Sequence, residues 1–187
     1  MTPMMEGPRM SAAYERLIQL LDERDVRHRS DDESKSICTD LLGDFGSFRV
    51  VAGVDEDVDL FRVHGYSPVT IPEGSRPAVA EAIARANYGL RVGKFELDLS
   101  DGELRFHAYQ IVEGDAISDE VIDRLIRTTI GMLDMYMPAF MSVIFGNEDP
   151  EDAVQFVEAG SRPDTEDDEA EDGDGGGNRF VMDPDDF

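Results

Sequence analysis

The chain has 187 residues and carries 42 acidic against 17 basic side chains, a net charge of −25. The excess is uneven: residues 1–146 hold −11 and the last 41 residues hold −14, which divides the chain into one domain and an acidic tail. Such a surface repels phosphate backbones and anionic lipid headgroups, which argues against nucleic acid or a membrane as the main partner and leaves basic proteins open.

Cys38 is the only cysteine, so no intrachain disulfide can form. Residues 1–10 lack the basic start and long apolar run of a signal peptide and read as a flexible, unprocessed segment. The most apolar stretch, residues 131–146, contains Asp134, Pro138 and Ser142 and is shorter than the ~20 residues of a membrane span. A cytoplasmic protein is expected. Lys35 and Lys94 are the only lysines, an arginine preference that fits either a GC-rich genome or a high-salt cytoplasm.

Ser11 stands at an N-cap position, and Tyr14, Leu17, Ile18 and Leu21 follow at the spacing of an amphipathic helix. The polar run His28 to Ser36 ends it. Three strands are expected next, as a meander: one through Ile37, Leu41 and Leu42, one through Phe48, Val50 and Val51, and one through Val58, Leu60 and Val63. Pro68 and Pro72 close that unit, because proline cannot donate to a central ladder.

Ser75 reads as a second N-cap, with Pro77 in the first turn and a stripe of Val79, Ala82, Ile83, Ala86 and Leu90 behind it. Asn87 is placed to cap that helix or tie it to the next strand. Phe95, Leu97 and Leu99 then alternate with Glu96 and Asp98, and Leu104, Phe106 and Ala108 alternate with Arg105 and His107. Asp101-Gly102 between them suggests a type I′ hairpin turn. Ser118, followed by Asp119 and Glu120, opens a long helix to about Phe145 that Pro138 should kink. Pro150 to Ala159 suits a short helix. From Gly160 the sequence is aspartate, glutamate and glycine, too poor in apolar residues to order itself.

Catalytic and metal-binding signatures are sparse. His28, His64 and His107 show no metal-site spacing, and Cys38 has no neighbouring histidine. Asp55, Glu56, Asp57 and Asp59 begin like a calcium loop, but Leu60 and Tyr66 stand where the glycine and the bidentate glutamate belong. No glycine-rich phosphate cradle and no Gly-x-Ser-x-Gly elbow occurs. A non-catalytic protein without cofactor or metal is expected. Asp134 is the most informative single acid: it either lies on the exposed side of the long helix or faces inward, where it needs a partner.

The segment from Asn87-Tyr88-Gly89-Leu90-Arg91-Val92-Gly93-Lys94-Phe95-Glu96-Leu97-Asp98 to Asp101-Gly102-Glu103-Leu104-Arg105-Phe106 resembles the YbjN family. So does the long helix with Asp134, Tyr136 and Pro138 near its end. The resemblance covers roughly residues 11–145 and rests on structural glycines and apolar positions. The element order read from the patterns, α-β-β-β-α-β-β-α with an antiparallel sheet of about five strands, supports it independently, and the resemblance implies an α+β fold like that of type III secretion chaperones. It also implies a non-catalytic role in protein binding or sensory transduction regulation.

The chain is thus read as a flexible segment 1–10, a domain 11–146, a short helix or linker 147–159 and a disordered acidic tail 160–187. The first functional reading is a homodimeric protein-binding module whose partner surface is the methionine-rich helix end, Met132, Met135, Met137, Phe140, Met141 and Phe145; the same residues could equally fill the core. The second is a small-ligand sensor with a pocket near Asp134 and Tyr136. The tail reads either as a solubilising brush or as a lure for a basic partner, with Phe180, Met182 and Phe187 able to dock as a short peptide.

Overall fold

The computed structural model describes residues 12–55, 57–112 and 117–160. Ser11, Glu56, the amino-terminal ten residues, and residues 161–187 with Phe180, Met182 and Phe187 lie outside the described residues. Helix α1 (Ala12–Glu23) leads into strands β1 (Arg29–Asp31), β2 (Ser36–Leu42), β3 (Ser47–Asp55) and β4 (Leu60–Tyr66). A short 3-10 turn (Glu73–Ser75) precedes α2 (Arg76–Gly89), then β5 (Lys94–Leu97), β6 (Leu104–Ile111), α3 (Asp119–Phe145) and α4 (Pro150–Gly160).

Six strands form one antiparallel sheet in the order β1-β2-β3-β4-β6-β5. Period-two alternation turns one side of every long strand inward: Ile37 and Leu41, Phe48, Val50 and Ala52, Phe61 and Val63, Leu104, Phe106 and Ala108 are all buried. Helices α1, α2 and α3 pack against that face. Each fully buried Phe or Leu side chain contributes about 1.5–3 kcal/mol of transfer free energy, so this layer carries the fold. Helix α4 packs on α2 and α3 and adds Ala153 and Val154 to the core.

The spine of the helical layer is α3, whose stripe of Ile122, Leu125, Ile126, Leu133, Tyr136, Met137 and Phe140 lies in the core. It is the one helix among the described residues long and apolar enough to cross a bilayer, and half of that apolar window is buried within the domain. Pro138 sits on its exposed side and the helix runs on through it. The ladder bond that proline cannot make belongs to the carbonyl of Asp134, four residues earlier. Ser118 accepts from the Val121 amide at 3.4 Å, as an N-cap should.

Four local expectations are corrected. The sheet has six strands, not five, because part of the run read as a polar linker forms β1. Arg29, Ser30 and Asp31 are all exposed, so no apolar alternation marks them; they are held by ladder pairing to Cys38, Ile37 and Ser36. The third strand starts at Leu60, leaving Val58 exposed. Ser75 makes no side-chain cap, since the 3-10 turn already puts it in helical conformation.

The β5–β6 connection is not a two-residue type I′ turn, because only Gly102 has positive φ, at 85°. It is a six-residue loop closed by the Gly102 amide on the Asp98 carbonyl (2.8 Å) and the Asp98 amide on the Glu103 carbonyl (2.9 Å). The Asp98 carboxylate accepts from the Ser100 amide and hydroxyl, and Arg76 donates to the carbonyls of Leu99 and Ser100, which holds the loop open and leaves Leu99 exposed.

Candidate functional site

Helix α3 distributes its methionine-rich end between core and surface. Met137 and Phe140 are fully buried, and Met132, Met135 and Met141 are partly buried against the core. The Phe95 ring from β5 meets Phe140 at 5.1 Å and Tyr136 at 5.4 Å, edge to face, which locks this half of the helix to the sheet. Phe145, the last residue of the group, is 72% exposed. Two more aromatic side chains stand out on neighbouring helices, Tyr88 at 96% and Phe156 at 80% exposure. Tyr88 borders a groove of about 510 Å³ between α2 and α4, together with Arg85, Glu151, Val154 and Glu158.

Asp134 is neither fully exposed nor buried alone. Its carboxylate accepts the amides of Asp44 at 2.9 Å and Phe45 at 2.8 Å and so staples the β2–β3 turn to α3. Burial pushes its pKa up, the two amides push it down, and the Asp44 charge adds to the upward shift. The Tyr136 hydroxyl donates to Glu158 at 2.8 Å, tying α3 to α4. Burial and that carboxylate raise the phenol above its ordinary value. Both groups are thus engaged with different parts of the fold, and neither lines the α2–α4 groove or the cleft at the β5–β6 edge.

The outer face of the sheet, opposite the helices, carries a polar-aromatic row that only the register brings together. Val51, His64, His107 and Lys94 lie side by side on β3, β4, β6 and β5. The two imidazoles stand 4.3 Å apart, and His107 Nε2 is buried with no hydrogen-bond partner. Burial first, then the neighbouring His107, Arg105 and Arg62, pushes His64 down to about 4. His107 is lowered by burial as well, against the pull of Glu96. Although burial pushes the Glu96 carboxyl up, hydrogen bonds from Lys94 (2.9 Å) and Arg105 (2.8 Å) outweigh it and hold the pKa at about 2.

At the sheet edge a cleft of about 450 Å³ opens between the end of the β5–β6 hairpin and the first turns of α3. Arg91, Lys94 and Arg124 line it with Tyr109, Val121 and Leu125. Sequence reasoning missed it. Its residues come from three distant segments, and the only local signal was Lys94, one of two lysines in the chain.

An antiparallel sheet covered by helices on one face and open on the other defines an α+β domain. The chain belongs to the YbjN family, described as "Putative bacterial sensory transduction regulator", whose model matches residues 13–142. Among solved structures it is similar to that of YbjN from E. coli, titled a putative transcription regulator, at 16% identity and a TM-score of 0.49, covering 65% of this chain and 86% of that one. It is also similar to a chain of the HopA1-SchA chaperone–effector complex, at 14% identity and a TM-score of 0.44, covering 68% of this chain and 94% of that one. No curated protein matches it.

Proposed function

We propose that this chain is a non-catalytic regulatory module that acts by binding another polypeptide, as a homodimer. The observation that carries this reading is the set of exposed aromatic side chains on the helical side, Tyr88, Phe145 and Phe156, on a domain whose other large apolar residues mostly enter the core. Aromatic side chains anchor interfaces because they bury large area at little entropic cost. Membership of a family described as regulatory supports the same role. Of the methionine-rich group, Met132, Met135 and Met141 are partly buried against the core and so keep some surface for a partner, while Met137 and Phe140 are buried.

The test is affinity capture with crosslinking from native lysate, using the wild-type chain and Phe145→Ser and Phe156→Ser variants, with sedimentation to report the dimer. Loss of a defined partner in the variants, at unchanged melting temperature, supports the reading. A monomer that captures the same proteins whether or not the aromatics are present overturns it.

A second reading, small-ligand sensing, is favoured by the cleft between the sheet edge and α3. Its wall of arginine, lysine and tyrosine does not include Asp134 or Tyr136.

A further inference from the structure

We propose that the cleft at the β5–β6 edge binds a small organic anion bearing a phosphate or carboxylate, held by Arg91, Arg124 and Lys94 with its apolar part against Tyr109, Val121 and Leu125. The proposal rests on the second, ligand-sensing reading and supplies its ligand class.

Charge placement is the first argument. In a chain with 42 acids, three cations line one cleft and no acid lines it with them among the described residues. Three acids lie close by in sequence at the start of α3: Asp119 pairs with Arg16 and Asp123 with Arg24, both arginines on or just after α1, and Glu120 is hydrogen-bonded with Ser118 at the helix start. The first two contacts draw the charge of Asp119 and Asp123 towards α1. Lys94 is matched by Glu96, itself shared with Arg105. Arg91 and Arg124 make no ion pair with any described residue, so among those residues two positive charges at the cleft have no acidic partner. An anion supplies what the chain withholds.

Size and wall chemistry are the second. A volume of about 450 Å³ lies in the range of small-molecule sites, roughly 300–1,000 Å³. Such sites combine apolar walls with a few placed polar groups, and here the guanidinium groups suit the bidentate recognition of phosphate or carboxylate. Tyr109 is half-exposed and offers its ring as a face for a flat substituent.

The test uses the full chain at low ionic strength, with phenyl phosphate, phenylacetate and inorganic phosphate as probes, read by calorimetry and by amide chemical shifts. The expected result is saturable shifts at residues 91–94, 109–110 and 121–125. Phenyl phosphate should bind tighter than inorganic phosphate, and the comparison with phenylacetate shows whether phosphate or carboxylate is preferred. Arg91→Ala and Arg124→Ala should each weaken binding about tenfold, while Arg85→Ala, a charge removed outside the cleft, should leave it unchanged. A uniform loss across all three variants, or no shift at these amides with any probe, overturns the proposal. So does a peptide of residues 161–187 that shifts the same amides at lower concentration than phenyl phosphate, which would make the cleft a seat for acidic polypeptide. A neutral metabolite that raises the melting temperature where all anions fail would keep the sensing reading and sink this one.

Discussion

Gly43 and Asp134 should be energetically coupled, and the coupling has a defined sign. An added Cβ on Gly43 would lie 2.5 Å from Asp134 Cγ and closer still to Oδ2, and the three nearest atoms it meets all belong to that carboxylate. Gly43 is not among the positive-φ glycines, so alanine brings no backbone strain of its own. The carboxylate would have to leave the amides of Asp44 and Phe45. Hydrogen bonds to a charged acceptor are worth about 1.5–3 kcal/mol each, but these amides lie in an exposed turn where water replaces much of the loss; about 1–2 kcal/mol for the pair is the realistic figure. Asp134→Ala should therefore cost about 1–2 kcal/mol. Gly43→Ala, which loses the same bonds and displaces the turn, should cost about 2–3 kcal/mol. In the double variant the methyl group meets no carboxylate, so the total should stay near that of Asp134→Ala alone. A double-mutant cycle from urea unfolding, followed by circular dichroism, measures the coupling at about 2–3 kcal/mol, the full cost of Gly43→Ala. Additivity within about 0.5 kcal/mol would refute the reasoning.

Asn87 donates to the Phe95 carbonyl at 3.0 Å and accepts its amide at 2.7 Å, completing the free edge of β5, so Asn87→Ala should cost about 2 kcal/mol by denaturant titration; a loss below about 0.5 would mean water substitutes fully. His64 is held neutral, with its pKa lowered to about 4 against 6.5 when unfolded, so the unfolded state takes up the proton first. Its contribution is complete above about pH 6.5 and is lost as pH falls towards 4; after allowance for partial solvent exposure this is about 1–2 kcal/mol. His64→Gln should flatten the stability–pH slope between those limits, and an unchanged slope there would place the effect elsewhere. Glu96 acts in a lower window, its contribution being present above about pH 4.5 and lost as pH falls towards 2. Tyr136→Phe releases Glu158 and should cost about 1 kcal/mol, with amide exchange rising in α4 but not in the first half of α3; equal rises in both would count against a local tie.

Period-two and 3.6-residue patterns made most of the elements readable in advance, because burial on one face imposes them. Phe95, Phe106 and Ala108 inward with His107 outward follows directly from alternation, and so does the α3 stripe. The reading of Asn87 as a tie to the next strand also holds, since an amide side chain next to a strand start can mimic a ladder pair. Elements without a buried face were not readable. Strand β1 has no apolar residue at all, and its existence depends on β2 offering a free edge. The wide β5–β6 loop depends on Arg76, more than twenty residues away, reaching the carbonyls of Leu99 and Ser100. The cleft fared worst: Arg91, Tyr109 and Arg124 are ordinary surface residues in sequence, and only β-register and helix docking make them neighbours.

The net charge of −25 hides a division of labour among the few cations. Arg16 and Arg24 are tied to the start of α3, where they fasten α1 to it; Arg62 and Arg105 are paired across the outer sheet face with Asp55 and Glu96. Each of these pairs is partly exposed and contributes little stability by itself, because water and salt screen the attraction. Their larger effect is on the field. By drawing Asp119 and Asp123 to α1 they leave Arg124 with no ion-pair partner among the described residues. Local potential, not total charge, decides what a cleft accepts at distances shorter than the roughly 8–10 Å screening length of physiological salt. The total charge therefore does not set the potential at the cleft, and the proposed anion would meet Arg91 and Arg124 at contact distance.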